Sequence, residues 1–231
     1  MRQSTRIAVQ VFSDVFEPNG PVLQLGSYLH LGLGSYTDVR PFFPDEFVGL
    51  DIRPGPGVDV VGDAQELPVD DATFRTVLAL DVLEHLPRPE RAISEARRVL
   101  ADEGLFVVSV PFDYRLHAFP TDYRRYTPSG LYVDLEPFSQ RAVLSVGPQV
   151  RPAYVFAVAA AGREDFDDRV AEFRRQTSIA YSRFRARLRL HLTALDEHAH
   201  NVGGWMLGRA RVGVHHFDPE DTSGAYSSSE R

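Results

Sequence analysis

The chain has 231 residues, a formal charge of −7 at pH 7 and no cysteine. Its length suits one domain with a large core, and the negative charge argues against nucleic acid as a partner. The lack of cysteine excludes disulfides and thiolate catalysis, and since all 25 basic residues are arginine, Schiff-base chemistry on lysine is excluded too.

The chain gives no sign of export or of membrane insertion. The segment MRQSTRIAVQ lacks the apolar centre of a signal peptide. No run reaches the ~20 apolar residues of a membrane span. We therefore expect a cytoplasmic protein without stable membrane insertion.

The first elements are a helix and a strand. Apolar residues recur at helical spacing over residues 4–17, and Pro18-Asn19-Gly20-Pro21 then ends the segment. Residues 22–25 (VLQL) predict the first strand, which ends at Gly26. A glycine there lets a ligand approach the backbone closely.

Three later apolar runs each stop at an acid. Residues 48–50 lead to Asp51, residues 58–61 to Asp63 and residues 76–80 to Asp81. Short continuous apolar runs are typical of a parallel sheet that is buried on both faces. Ligands of such sheets bind outside the carboxyl ends of the strands, so these three carboxylates should line one crevice.

The sheet continues after a helix. Residues 90–100 carry an apolar stripe at helical spacing, and residues 105–110 (LFVVSV) predict a central fifth strand. Residues 141–146 and 153–160 are two further strands with a short Gly-Pro connection. They predict a hairpin, and hence an antiparallel edge on a parallel sheet.

Several of these motifs together resemble those of class I S-adenosylmethionine (SAM)-dependent methyltransferases, in the branch called methyltransferase type 11. The motifs are VLQLGS (22–27), VGLDI (48–52), GDAQELP (62–68), FRTVLALDVLEHL (74–86) and RRVLADEGLFVVSVP (97–111). The resemblance implies an α/β fold, with a Rossmann-like seven-stranded sheet that is mostly parallel, carries an antiparallel hairpin at its C-terminal edge and has helices on both faces. It assigns residues 1–162 to the methyltransferase domain.

The resemblance also implies a cofactor site for SAM, with S-adenosylhomocysteine as the product. Asp51 would bind the ribose hydroxyls, Ile52 would flank the adenine, and Asp63 would accept a hydrogen bond from the adenine amino group. The remaining residues that it places at the cofactor are Gly26, Ser27, Ala64, Asp81 and Val82. The chain departs from the usual Gly-x-Gly-x-Gly pattern after the first strand, since its next glycines, Gly32 and Gly34, are displaced.

The segment after strand five, residues 111–131 (PFDYRLHAFPTDYRRYTPSGL), should lie on the ligand side and is rich in aromatic and ionisable groups. Histidine suits proton transfer near neutral pH, so His117 is the first candidate for a general base, with Asp122 as a second candidate or as its orienting partner. Alternatively, Asp122 and a neighbouring arginine form a structural ion pair. The residues predicted to bind the acceptor are His85, Tyr114, Tyr123, Arg125 and Tyr126. Thr127 and Pro128 predict a helix start.

The C-terminal third predicts a helical extension over residues 163–217 and a disordered tail over residues 218–231. Its long helix could break near Thr177. We expect this helix to pack on the domain, to mediate a homodimer or to present its arginines as a basic surface. The scattered histidines have no persuasive ligand spacing, so we predict no metal site.

These observations predict a methyltransferase that transfers a methyl group from SAM to an oxygen or nitrogen of a small molecule in biosynthesis. Sugars and secondary metabolites are the acceptors that the loop after strand five suggests. A non-catalytic scaffold or dimerisation protein of the same fold is one alternative. A nicotinamide-dependent oxidoreductase is another, although Gly-x-Gly-x-x-Gly does not follow the first strand.

Overall fold

The structure is a computed structural model that describes residues 3–29, 38–43, 45–118, 120–147, 152–196 and 213–217. The displaced glycines Gly32 and Gly34 and the predicted disordered tail lie outside these residues. None of the described helices combines the length and the apolar character that a bilayer span requires.

One eight-stranded sheet organises the chain, in the order β3-β2-β1-β4-β5-β7-β6-β8. Its strands are β1 (Val22–Leu25), β2 (Phe47–Asp51), β3 (Val60–Val61), β4 (Phe74–Leu80), β5 (Leu100–Pro111), β6 (Gln140–Gly147), β7 (Tyr154–Ala160) and β8 (Gly213–Phe217). Strands β1 to β5 are parallel, whereas β7 runs antiparallel to both β5 and β6. The predicted Rossmann-like sheet with its C-terminal hairpin is therefore confirmed.

The eighth strand was not predicted. Residues 213–217 fall in the stretch assigned to a helical extension, but they pair antiparallel with β6, from Val143 opposite Phe217 to Gly147 opposite Gly213. This pairing covers the hairpin strand that would otherwise leave its backbone groups unpaired at the sheet edge.

Within the described residues, four α-helices flank the sheet: α1 (Gln3–Phe16), α2 (Pro89–Val99), α3 (Pro128–Asp134) and α4 (Phe166–Asp196). Short 3₁₀ turns occupy Arg40–Phe42 and Leu83–His85. The predicted cap of α3 is present, since the Thr127 hydroxyl accepts a hydrogen bond from the Gly130 amide at 3.0 Å. Strand β5 begins directly after α2, five residues earlier than predicted, because Leu100 already pairs with Phe74 of β4, ahead of a register shift in which Thr76 pairs with Leu105.

Alternation along the strands divides the apolar side chains between two cores. On β4, Val77 and Ala79 face the core that α2 and α3 cover, whereas Leu78 and Leu80 face the core of α1 and α4. Every residue of β7 is buried, as expected of a strand with helices on both faces.

Helix α4 packs against α1 as part of the second core. Phe173 is fully buried, with its ring centroid 6.1 Å from that of Phe16 and 5.6 Å from that of Phe156. The Tyr181 hydroxyl hydrogen-bonds with the Tyr154 hydroxyl and donates to the Ser4 carbonyl. The helix runs without a break through Thr177, so the suggested interruption there is absent.

Candidate active site

The strand register places the predicted cofactor residues at one edge of the sheet. Leu25 lies opposite both Leu50 and Ala79, and Leu80 lies opposite Ser109. Gly26, Asp51 and Asp81 follow these positions directly or within two residues, so the carboxyl ends of three neighbouring strands deliver them to the same crevice.

Two features require glycine at position 26: its backbone conformation and the close contact with Val82. Its φ of +67° lies in the left-handed region, and a Cβ atom there would come within 2.4 Å of Val82 Cγ2. The sequence predicts that Gly26 lets a ligand approach the backbone closely. In the structure, the Val82 side chain makes this close approach to Gly26. Val82 packs the turn after β4 directly onto the end of β1.

Ser27 is 3% exposed, and its amide donates a hydrogen bond to the Leu50 carbonyl at 3.0 Å. Its hydroxyl has no hydrogen-bond partner among the described residues. A buried hydroxyl normally finds a partner, so this group could bind a polar atom of a ligand in the crevice.

Asp51 keeps acceptor capacity for two ribose hydroxyls. Its side chain accepts a hydrogen bond from the Tyr28 amide at 3.2 Å and one from the Arg53 amide at 3.0 Å, one on each oxygen. An ionised carboxylate offers about four acceptor positions, so each oxygen can accept once more. Ile52 is 69% exposed and could cover one face of an apolar ring.

Asp63 shapes a turn beside this position. Its carboxylate accepts hydrogen bonds from the Gln65 amide at 2.8 Å and from the Gln65 side-chain amide. Residues 63–66 form a tight turn, in which the Glu66 amide donates to the Asp63 carbonyl at 3.0 Å. Ala64, within this turn, is 7% exposed.

Asp81 has a φ of +55°, which is uncommon for a residue with a side chain. Its carboxylate accepts a hydrogen bond from the Ser109 hydroxyl at 2.7 Å, and its amide donates to the Ser109 carbonyl at 2.9 Å. These contacts hold the strained residue and turn the chain sharply into the 3₁₀ turn Leu83–His85. Strain of this kind concentrates at functional sites.

Glu84 lies in that turn and is fully buried. Neither of its carboxylate oxygens has a hydrogen-bond partner among the described residues. Burial, with the nearby Asp81 charge, raises the pKa of Glu84 to about 8. No role is assigned to Glu84 in the sequence analysis, so its buried carboxyl is a feature that sequence reasoning missed.

His85 is held in one tautomer. Its Nδ1 lies 2.8 Å from the Thr121 carbonyl, which can only accept, so Nδ1 carries the proton. Nε2 then has a free lone pair and lies 3.7 Å from Glu84 Oε1. Burial lowers the pKa of His85, which favours the neutral ring.

The loop after β5 is fastened to this turn by backbone contacts. The Tyr123 amide donates to the Glu84 carbonyl at 2.9 Å, and the Arg124 side chain donates to the Pro87 carbonyl at 3.2 Å. These contacts bring residues about 40 positions apart into one cluster.

His117 lies at the centre of the cluster. Its ring packs edge-on against His85, with centroids 4.7 Å apart, and against Tyr114 at 5.0 Å. Its amide donates to Asp122 Oδ2 at 2.8 Å, and its Nδ1 lies 3.1 Å from the same oxygen, off the line of a hydrogen bond. Asp122 therefore positions both the backbone and the ring of His117.

Arg125 is fully occupied by the loop. Its guanidinium forms a two-pronged ion pair with Asp122, and its other N–H groups donate to the carbonyls of Tyr114, Arg115 and Arg124. All five donors are used, so none is left in this structure for the acidic acceptor group that Arg125 is predicted to bind. The alternative of a structural ion pair is the one observed.

The same ion pair decides the role of Asp122. The side chain of Asp122 is 3% exposed, and the Arg125 guanidinium holds its pKa well below the usual range. A carboxylate this weakly basic is a poor proton acceptor, so the orienting role agrees with the structure and the role of base does not.

The predicted acceptor tyrosines differ in exposure. Tyr126 is 5% exposed, belongs to the core under α3 and has its pKa raised by burial, so little of its surface can meet an acceptor. Tyr114 and Tyr123 are 40% and 50% exposed. They remain available to an acceptor.

A family model described as a methyltransferase domain matches residues 32–108. This stretch includes Asp51, Asp63, Asp81 and His85. It ends before the loop with His117 and Asp122, so the match covers the predicted cofactor side of the site and not the acceptor side.

Curated relatives match over short stretches. The chain is 39% identical over 64 residues to a malonyl-[acyl-carrier protein] O-methyltransferase from Geobacter sulfurreducens, which covers 28% of this chain and 24% of that protein. It is 35% identical over 89 residues to a phthiotriol/phenolphthiotriol dimycocerosates methyltransferase from Mycobacterium tuberculosis, which covers 33% of each. The matches thus span a quarter to a third of these relatives.

Solved structures share the fold over a larger part. A SAM-dependent methyltransferase from Thermotoga maritima aligns over 69% of this chain and 92% of its own, with a TM-score of 0.50 and 17% identity. A 1,6-didemethyltoxoflavin-N1-methyltransferase from Burkholderia thailandensis, with S-adenosylhomocysteine bound, aligns over 68% and 78%, with a TM-score of 0.51 and 20% identity. The chain therefore shares the fold of these methyltransferases, and its residues 32–108 match the model of a methyltransferase domain, in agreement with the resemblance of its sequence motifs.

Proposed function

We propose that this protein transfers a methyl group from SAM to an oxygen or nitrogen of a small molecule. The observation that carries the proposal is the shared edge of the sheet. The crevice formed by Gly26, Asp51 and Asp81 adjoins the cluster of His85 and His117, so a donor and an acceptor can meet there.

The chain has the groups that SAM needs. The Asp51 carboxylate has free acceptor positions for the ribose, the Ser27 hydroxyl has no hydrogen-bond partner among the described residues, and Ile52 exposes an apolar side chain. Bound there, SAM would supply an activated methyl group on a sulfonium.

The chemistry requires positioning and one proton transfer. The acceptor lone pair attacks the methyl carbon, the carbon–sulfur bond breaks, and its electron pair stays on sulfur to give S-adenosylhomocysteine. The proton of a hydroxyl or protonated amine passes to the ring of His117, which Asp122 orients. The Asp122 charge stabilises the imidazolium that forms.

The surroundings of His117 favour an acceptor with flat or apolar surfaces. Tyr114 and Tyr123 expose aromatic rings, and Leu116 is 79% exposed. Sugars and aromatic metabolites stack on such rings, and this supports a sugar-containing or secondary metabolite as the acceptor.

The first test is calorimetric titration with S-adenosylhomocysteine of the wild type, of Asp51→Ala and of the control Asp70→Ala, which removes an exposed carboxylate. We expect micromolar binding that weakens at least tenfold in Asp51→Ala only, since two charge-assisted hydrogen bonds are lost. Absence of binding by the wild type would refute the proposal and favour the scaffold. A parallel titration with NADH tests the oxidoreductase alternative, and no binding is expected.

The second test concerns the proton. Once an acceptor is found by screening, His117→Ala should lower kcat about 10²- to 10⁴-fold at unchanged affinity for S-adenosylhomocysteine. An unchanged kcat would mean that positioning alone accounts for the rate.

A further inference from the structure

Three metal-ligand side chains meet beside the cofactor crevice. The ligand atoms of Glu84, His85 and His117 all lie within 4.8 Å of one another. Ligands at ~2.1 Å from one ion are about 3–4 Å apart, so small side-chain rotations would suffice to bring them around an ion. The sequence hides this group because His117 lies 32 residues beyond His85.

Glu84 gives the second, independent observation. Its side chain has no exposed surface, and neither oxygen has a hydrogen-bond partner among the described residues. A buried carboxylate without a partner is unfavourable unless a proton or a cation neutralises it. Its Oε1 lies 3.7 Å from His85 Nε2, which is the distance between two ligands of one ion.

The histidines are arranged as ligands usually are. His85 donates Nδ1–H to the Thr121 carbonyl, which leaves the Nε2 lone pair directed toward Glu84. His117 lies beside the Asp122 carboxylate, with Nδ1 at 3.1 Å. A backbone carbonyl or a carboxylate behind each ring is the outer shell that orients metal-binding imidazoles.

The local charge also favours a cation. Asp122 is neutralised by Arg125, whereas the buried Glu84 lies close to a second acid, Asp81, so two carboxyl groups share this part of the crevice.

We propose that Glu84, His85 and His117 form a site for a divalent first-row transition metal ion. Two imidazoles and one carboxylate suit ions such as Mn²⁺, Co²⁺, Fe²⁺ or Zn²⁺ better than Mg²⁺ or Ca²⁺, which prefer oxygen ligands alone. Three protein ligands leave positions open for water and for an oxygen of the acceptor.

The role of the ion in catalysis, unlike its binding, rests on the proposed methyl transfer. An acceptor hydroxyl bound to the ion would release its proton to water, because the ion stabilises the alkoxide, and the alkoxide would then attack the sulfonium methyl. In that case His117 acts as a ligand and not as the base.

The test is titration of the metal-stripped full-length protein with Co²⁺, followed by visible absorption and by calorimetry. We expect one Co²⁺ per chain, with the absorption bands of nitrogen and oxygen ligands. Binding should weaken at least tenfold in Glu84→Gln and in His117→Ala, but not in the control Glu90→Gln, whose exposed carboxylate lies at the start of α2. Circular dichroism verifies that each variant is folded.

Titration of the same samples with S-adenosylhomocysteine separates the two proposals. Cofactor binding without stoichiometric Co²⁺ binding by the wild type, or equal Co²⁺ binding by Glu84→Gln, would overturn the metal site and leave the proposed function intact. Co²⁺ binding without cofactor binding would overturn the proposed function and leave the metal site intact. If both proposals hold, the rate of methyl transfer should fall at least tenfold on treatment with a chelator and should recover when metal is added. A His117 base without a metal ion does not explain such a dependence on metal.

Discussion

Arg125 shows how a single residue can change role between sequence and structure. In the sequence, an arginine in an aromatic loop is a candidate anion binder. In the structure, Asp122 and three backbone carbonyls use all its donors, so it stabilises the loop that carries His117. The residue type was informative, but only the tertiary neighbours show which partner occupies it.

At the same scale, Gly26→Ala tests the contact between β1 and the turn after β4. The new Cβ would lie 2.4 Å from Val82 Cγ2 at a φ of +67°, so we expect a loss of about 1–3 kcal/mol in the free energy of unfolding. Urea unfolding measures this loss.

The double variant Gly26→Ala/Val82→Ala is the control. It removes the methyl group that clashes, so it should be more stable than the sum of the two single changes predicts. Simple additivity of the two losses would show that backbone strain alone, and not the Val82 contact, makes glycine necessary.

At the scale of elements, two short segments build the acceptor side of the site. The 3₁₀ turn Leu83–His85 follows directly from the strained Asp81, and the loop after β5 bonds to it through Tyr123 and Thr121. Helical or strand periodicity predicts neither segment, since neither has a repeating pattern. The strands that present them were predictable, because their apolar runs are continuous.

The start of α4 gives a pH-dependent prediction. Ion pairs with Arg163 and Arg169 lower the pKa of Asp165, so its contribution to stability is present above the unfolded-state pKa, near 3.8, and is lost as pH falls below it. Because the carboxylate is 40% exposed, we expect this contribution to be at most about 1 kcal/mol.

Urea unfolding of the wild type and of Asp165→Asn should therefore differ by up to about 1 kcal/mol at pH 7, and this difference should shrink steadily as the pH falls below 3.8. Asp167→Asn, an exposed acid in the same first turn, is the control for the general charge effect. A difference that is independent of pH would contradict the ion-pair explanation.

At the scale of the whole molecule, the predicted division after residue 162 does not separate two cores. Helix α4 shares its core with α1 and with the sheet, through Phe166, Val170 and Phe173. The predicted homodimer stays a prediction, as does the cytoplasmic location.

Phe173→Ala tests whether α4 is part of one cooperative unit. The ring is fully buried between Phe16 and Phe156, so its removal should cost about 3–5 kcal/mol. Thermal unfolding should remain a single transition at a lower Tm. Two transitions, of which only one shifts, would show instead that α4 unfolds separately from the sheet.

Much of the cofactor side could be read from the chain alone. The strands carry continuous apolar runs, and each acid follows its run directly, so local order along the chain was enough to place Asp51, Asp63 and Asp81 near the carboxyl ends of the strands. The class of domain followed from the motifs on those same segments, and the family match over residues 32–108 supports it.

Only the tertiary structure decided the acceptor side. The burial of Tyr126, the occupation of Arg125, the unpartnered carboxyl of Glu84 and its approach to His85 and His117 all depend on contacts between two segments that the sheet brings together. The pairing of β8 with β6 likewise joins positions about 70 residues apart. Periodicity reports how a segment meets the core, but it does not report which distant segment it meets, because that is determined by packing and not by local backbone preference.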